Sequence, residues 1–389
     1  MNKKHSALLF LIAFLTMLGF GIIIPILSLF ADELGASSLE IGVLFASYNV
    51  MQLLFSPLWG SLSDRFGRKP LISFGLLGFS ITFILFGLAN SYAEMLVYRI
   101  LGGIASAAAL PTVYAMTADL FAPQEQAKGM GFVGAGIGLS FVFGPVIGGM
   151  LSEYGFAVPF FASGGMAFLT FLVVLFVLPE SLPREKRSAQ ANRKRTNPFS
   201  FLFGPLSLLY TILFVVSLAF SGLEATFALY IHDLYGFTSK DLGYMFLVMG
   251  IISAMVQGGM IGKMVKRLGE PAVLSLGIAL YAIGFFAIPL SGGFWLLTFI
   301  LCLFGAGQGM IRATATAMIT QRTAVGLGVT TGAISSMDSL GRIAGPLLGG
   351  AVYAFAYSGP FLLGGILMLA ILFWFQARHH SLPEQQKQA

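Results

Sequence analysis

Residues 60–67 read GSLSDRFG, and residues 262–269 read GKMVKRLG. Each begins and ends in glycine, carries clustered charge and lies between apolar runs. Around the first, Asp64, Arg65, Arg68 and Lys69 crowd into six positions. A second pair of stretches agrees with the first. SFVFGPVIGG at 140–149 is matched by GRIAGPLLGG at 341–350. The first offset is 202 residues and the second 201. Two matches at nearly one spacing predict a duplicated chain: two homologous halves in parallel order. That is an arrangement of transporters, whose site lies between the repeats.

The apolar runs say what the halves are made of. The chain of 389 residues is 57% hydrophobic and 10% charged, with a mean hydropathy of +0.87. A soluble domain is about 25% charged, so the chain is expected to be an all-α integral membrane protein. A span needs about 20 apolar residues. Twelve runs meet that length: 7–30, 40–62, 70–89, 93–118, 129–151 and 157–178, then 205–231, 240–261, 272–290, 294–319, 327–355 and 359–377. The first run is too long for a signal-peptide core, so it is expected to remain as a span. The fold class that follows is twelve transmembrane helices in two pseudo-symmetric six-helix bundles. The expected domains are a bundle at 1–178, a basic linker at 179–204, a second bundle at 205–377 and a tail at 378–389.

Charge placement gives orientation and excludes other functions. With the N-terminus inside, 18 of the 22 Lys and Arg fall in inner segments and one, Lys240, in an outer loop. Such a bias places both termini in the cytoplasm of a multi-pass protein. The net charge of +6 is spread through short loops, so no nucleic-acid partner is expected. Cys302 is the only cysteine and the four histidines have no ligand spacing, so no disulfide or metal site is expected. No G-x-x-x-x-G-K-[ST] occurs, and GGMIGKM at 258–264 lacks both its spacing and its hydroxyl. With no nucleophile–base arrangement either, the chain is expected to be no enzyme and to need no cofactor. A gradient is left as the driving force.

At this point the chain resembles the major facilitator superfamily, and within it the twelve-helix drug:proton antiporters. Loop 60–71 matches that superfamily's G-x-L-x-D-R-x-G-R-[KR]-x-x. RILGGIASA at 99–107 resembles the arginine pattern of helix four, and Gly131 to Gly149 resembles the helix-five antiporter pattern, with Ser140 where glycine is usual. GFGIIIPILSLF at 19–30 resembles the helix-one pattern, and Pro179-Glu180-Ser181 the end of helix six. The resemblance implies a central cavity lined by helices 1, 4, 7 and 10. It also implies a cytoplasmic gate of Gly60, Asp64, Arg65, Gly67, Arg68 and Asp119, in which Arg68 reaches Asp119 and Asp64 faces the start of helix eleven. The second loop has Lys266 for Asp64 and Glu270 for Arg68, so the gate is expected to be asymmetric.

Charge inside a span is costly and points to function. Arg99, Glu224, Arg312, Asp338 and Arg342 are of this kind. Asp338 and Arg342 are four apart and can pair on one face, as Gln308 and Arg312 share one. A structural ion pair is the plain alternative. Glu224 has no basic residue within a turn on its own helix. Burial disfavours its charge, so it can exchange that charge for a proton. By resemblance Glu224 couples protons and binds cationic substrate, with Arg99, Asp338 and Arg342 joining in coupling. Arg99 alternatively snorkels outward. The substrate site is expected from Glu224, Gln308, Arg312, Tyr114, Phe227, Tyr230, Asn49, Gln52 and Phe20. Aromatic side chains offer varied amphipathic molecules a wall, although most would be packing in any membrane protein. Gly144, Pro145, Gly148, Gly149, Gly345 and Pro346 are expected to let helices approach closely.

The expected function is proton-driven export of drug-like, often cationic compounds by a monomer in the cell membrane of a bacterium. The partners are the substrate, protons and the bilayer. One alternative exports a single solute such as a sugar, metallophore or lipid precursor. Another is a membrane sensor or scaffold, which would want a larger appendage than the 14 residues after Phe375.

Overall fold

In lipid a backbone must satisfy its own hydrogen bonds, and a helix does this within one segment. The computed structural model describes residues 3–121, 125–182, 204, 206–323 and 327–379, and among these it contains helices and no strand. The expected linker and tail fall mostly outside the described residues. The first half is α1 (Ala7–Ile23, continued by Leu27–Glu33), α2 (Ser38–Phe66), α3 (Arg68–Gly87), α4 (Tyr92–Leu120), α5 (Gln126–Leu151) and α6 (Ala157–Val177). The second is α7 (Ser207–Tyr235), α8 (Ser239–Leu268), α9 (Glu270–Ala287), α10 (Phe294–Arg322), α11 (Leu327–Phe355) and α12 (Gly359–Arg378).

Ten of these helices are long and apolar enough to cross a membrane, or eleven if bent α1 is one span. α11 is helical over 29 residues yet is not among them. GVTTGAISSMDS at 328–339 loads its first half with hydroxyls and a carboxylate. Among the described residues twelve helices therefore stand where twelve apolar runs are expected, but the first half of α11 is polar.

The interruptions have local causes. α1 bends by 41° beside Pro25, which has no N–H to continue the ladder. α2 contains Pro57, and α8 relaxes into a π turn over Val256–Met260 at the same depth. A π turn accommodates one inserted residue. Ser38 and Ser239, before it, are 201 apart; Gly60 and Gly262, after it, are 202 apart. The π turn therefore accounts for the step from 201 to 202 between the start of α8 and the charged loop that follows it.

Helix ends repeat as well. Ser37 and Glu40 form a capping box at α2, with Ser37 N–H donating to Glu40 Oε2 at 2.8 Å. Thr238 and Asp241 do the same at α8, at 2.9 Å. Gly67 and Gly269 precede α3 and α9 with φ of 107° and 83°. L-residues rarely adopt that backbone, which explains why glycine closes both charged loops.

Packing follows the same rule. α1 lies on α5 as α7 lies on α11; α3 lies on α6 and α4 as α9 lies on α12 and α10. Small residues make the first seam. A Cβ at Gly144 would stand 2.7 Å from Gly21 Cα, and one at Gly148 would overlap the Ile22 carbonyl. In the second half, Gly345 leaves no room beside the Leu218 carbonyl and Ser221. Lipid offers no hydrophobic drive between helices, so such close approach supplies the contact.

The chain divides into two compact units. One holds Met1–Ala36, Ser47–Lys194 and Phe237–Tyr244; the other holds Ser37–Ala46, Arg195–Gly236 and Met245–Ala389. Each unit thus borrows one helix start from the other half of the chain. In the first unit Gly243 stands against the Pro145 carbonyl, Gly149 against Ser239, and Lys240 Nζ meets Glu153 Oε1 at 2.9 Å. In the second, Gly42 stands against the Pro346 carbonyl and Gly350 against Ser38.

Candidate functional site

The charges read from the sequence gather in three places. The first is the 60–70 stretch of the first unit, expected as a loop; α2 continues to Phe66 and α3 begins at Arg68, so Gly67 alone between them is not helical. Arg68 is 4% exposed. Its Nη2 lies 2.7 Å from Asp64 Oδ1, its Nε donates to Asp119 Oδ2 at 3.0 Å, and its Nη1 donates to Ser63 Oγ at 2.5 Å. Asp64 and Arg68 meet at i,i+4. Glu180, after α6, accepts the backbone N–H of Arg68 at 2.9 Å and of Lys69 at 3.3 Å. A carboxylate thereby sits on the positive end of α3. Ser181 Oγ adds a 3.2 Å bond to Asp119. Arg65 points away and is exposed, and Gly60 has open space where a Cβ would be.

The matching corner of the second unit inverts the charge. Glu270 opens α9 where Arg68 opens α3. Its Oε2 meets Arg322 Nη2, from the end of α10, at 2.8 Å, and both side chains are 11% exposed. The repeat thus keeps an ion pair between the same two helix ends while exchanging which one carries the cation.

The second place is a network of four charges in the second unit. α7 supplies Glu224 and Ser217, α10 supplies Arg312, and α11 supplies Asp338 and Arg342. Arg342 Nη1 lies 3.4 Å from Glu224 Oε2, and its Nε lies 3.4 Å from Asp338 Oδ2. Arg312 Nη2 takes the other Asp338 oxygen at 2.5 Å, and Ser217 Oγ donates to that same oxygen. Sequence reasoning gives Glu224 no cation on its own helix and lets Asp338 pair with Arg342 on one face. That pair is present, but Arg342 also reaches Glu224 from α11, and Arg312 supports Asp338. The sequence shows every charged member and misses Ser217, which looks like any small residue in a span. Glu224 is 6% exposed. Two carboxylates and two guanidiniums make the set neutral when all are ionised. Gln308 is half-buried one turn before Arg312.

The third place is Arg99, in the first unit. It is 3% exposed, so it does not snorkel out to the surface. Its Cζ lies 4.4 Å from the centre of the Tyr48 ring and 5.9 Å from that of Phe20. Beside it, Gln52 Nε2 donates to Tyr48 Oη at 3.2 Å and to Ser106 Oγ at 3.3 Å, and Ser106 Oγ donates to Tyr48 Oη at 2.8 Å. Neither Tyr48 nor Ser106 stands out in the sequence.

The remaining expected wall residues are dispersed. Phe227 and Tyr230 are buried against Phe361 of α12, with ring centres 6.1 and 4.8 Å away. Tyr114 is exposed, and Asn49 is half-buried on α2.

A family model described as the Major Facilitator Superfamily matches residues 9–270 and 258–389. The chain belongs to the Major Facilitator Superfamily. Among curated relatives it is 32% identical over 375 residues to multidrug resistance protein 2 of Bacillus subtilis (strain 168), covering 95% of this chain and 94% of that one. It is 26% identical over 389 residues to the quinolone resistance protein NorA of Staphylococcus aureus (strain MSSA476), covering 99% and 100%. Among solved structures, the human organic anion transporter MFSD10 (TETRAN) superposes with a TM-score of 0.68 at 25% identity, covering 95% of this chain and 98% of that one. The nucleoside transporter NupG gives 0.77 at 15% identity, covering 97% and 99%, and shows the superfamily fold alone.

Proposed function

We propose that the chain is a proton-coupled secondary transporter that exports lipophilic, often cationic, drug-like compounds across the cell membrane, with both termini cytoplasmic. The observation that carries this is the buried carboxylate of Glu224, held by one long contact to an arginine that Asp338 also claims. The likeness to a multidrug resistance protein and to a quinolone resistance protein supports the direction and the substrate class.

The coupling follows from charge balance. With Glu224 ionised, the four-charge network is neutral. A proton on Glu224 leaves it at plus one and frees Arg342 for Asp338. A cationic substrate beside ionised Glu224 also brings the total to plus one. Proton and substrate are thus electrically equivalent occupants of one acid, and each displaces the other. Asp338 is braced by two guanidiniums and a hydroxyl, so its task is to position Arg342. Glu224 is the acid that exchanges. Arg99, which by resemblance tunes proton release, stays charged itself at ordinary pH.

The test is export in proteoliposomes under an imposed pH gradient, with ethidium as the cation. Glu224→Gln is expected to lower gradient-driven movement at least tenfold while the protein still purifies as a folded species. Unchanged movement in the variant would remove Glu224 from coupling.

A further inference from the structure

Tyr281 of α9 is wholly enclosed in the second unit, and its hydroxyl has no hydrogen-bond partner among the described residues. Phe285 and Phe304 hold its ring edge-on, with centres 5.4 and 4.8 Å away. The ring also lies against Gly307 of α10, where a Cβ would stand 3.4 Å from it. Gly307 is five positions before Arg312. Three charges of the network, Arg312, Glu224 and Arg342, act on the hydroxyl.

The repeat shows that packing does not require this hydroxyl. Tyr281 aligns with Phe79, and Phe285 with Phe83, at the offset of 202. Phe79 is buried too, so a phenyl ring fills the position in the first half. A buried hydroxyl left unmet is costly, and phenylalanine would avoid that cost. Thr314 Oγ1 makes a useful contrast. It is buried and unpartnered as well, but so is Thr112 Oγ1 at the matching place in the first half. That pair belongs to the scaffold, whereas the phenol of Tyr281 has no counterpart in the half without the charge network.

Glu224 has the complementary lack. Its contact is with Arg342 through Oε2, and Oε1 receives no hydrogen bond among the described residues. A guanidinium has donors only. It suits the ionised acid and offers nothing to accept the O–H of the protonated one. Asp338 is already taken by Arg312, Arg342 and Ser217. Of the helices packed on α7, α10 faces Glu224 with Arg312 and α11 with Asp338 and Arg342, while α12 carries no charge before Arg378. The phenol oxygen of Tyr281 is the neutral acceptor beside this set.

We propose that Tyr281 is a positioning residue of the proton-exchange site: on taking a proton, Glu224 turns from Arg342 and donates its new O–H to Tyr281 Oη. This rests on reading Glu224 as the exchanging acid. The arriving proton forms the O–H bond of Glu224, and no other bond is made or broken, because a phenol keeps its own proton at ordinary pH. On losing the proton Glu224 returns to Arg342. The acid thus has a partner in each state, a cation on α11 when ionised and a phenol on α9 when neutral.

The test is equilibrium binding of ethidium to the full-length protein in nanodiscs, read by fluorescence across a range of pH. Proton and ethidium compete for Glu224, so the parent's affinity is expected to rise with pH through a midpoint. Tyr281→Phe keeps the ring, which Phe79 shows to fit, and removes the acceptor of the protonated acid. Its midpoint is expected about one pH unit lower, the shift that a hydrogen bond of ordinary strength gives. Thr314→Val removes an unpartnered hydroxyl of the scaffold and is expected to leave the midpoint in place. A Tyr281→Phe midpoint equal to the parent's overturns the inference, as does an affinity lowered alike at every pH. So does an equal shift in Thr314→Val, because the loss of any buried hydroxyl would then produce it. Failure of Tyr281→Phe to fold overturns it as well, since the hydroxyl would then serve packing. A parent affinity that does not vary with pH removes proton exchange at Glu224 itself, and this inference with it.

Discussion

Arg68 satisfies two carboxylates and a hydroxyl at once, whereas Arg322 satisfies Glu270. Removing a partner from a buried ion pair costs about 3–5 kcal/mol, because the other charge stays behind. Arg68→Ala takes the cation from two acids, Asp64 and Asp119; Arg322→Ala takes it from one, Glu270. The first is expected to lower the melting temperature of the detergent-purified protein by more than the second. The reverse order, read by thermal unfolding, would mean that the second corner carries more of the stability. At this scale the sequence is legible where a residue is out of place. Arg99, Glu224, Arg312, Asp338 and Arg342 are visible because charge does not belong in a span. Their partners are not visible. Arg342 reaches Glu224 across 118 positions, and Glu180 caps α3 from 112 positions away. Ser217, Ser106 and Tyr48 are ordinary residues for a membrane helix, and only the fold gives them a task.

Helices show which glycines matter. α5 has glycine at 129, 131, 134, 136, 138, 144, 148 and 149. A Cβ would meet nothing within 4 Å at Gly134 or Gly138 but would collide with α1 at Gly144 and Gly148. Gly138→Ala is therefore expected to be neutral or to stabilise by about 0.5–1 kcal/mol, through the better helix propensity of alanine. Gly148→Ala must push α1 and α5 apart and should cost about 1–3 kcal/mol, as overpacked cores do. Thermal unfolding of the two variants checks the contrast, and equal effects would count against the seam. The four-residue spacing of Gly136, Ser140, Gly144 and Gly148 shows one packed face in the sequence. That Gly149 serves a different neighbour, the start of α8, is beyond it, because periodicity names a face and not the partner.

Over the whole molecule, duplication supplies the scaffold, and the proposed site stands where the duplication fails. Glu224, Arg312, Asp338 and Arg342 align with Ile23, Leu110, Ile137 and Phe141, and Arg99 aligns with Leu301. No charge of the membrane interior is repeated, while caps, seams and helix contacts are. The halves are readable from two short stretches. The exchange of helix starts between the units is not, because it joins segments about 100–300 residues apart. It also makes each half of the chain incomplete: 1–204 lacks Phe237–Tyr244, and 205–389 lacks Ser37–Ala46. Either half expressed alone is expected to be aggregated or degraded. The two expressed together as separate chains should co-purify and restore ethidium export. A half that purifies alone as a monodisperse species would contradict the exchange. The π turn of α8 has a consequence for comparing the halves. It shifts the reading frame between them, so an ungapped overlay sets Gly67 on Leu268 and Arg68 on Gly269. Opened by one position at 256–260, the frames fall into step, Arg68 meets Glu270, and the exchanged sign of the two corner ion pairs becomes legible in the letters themselves.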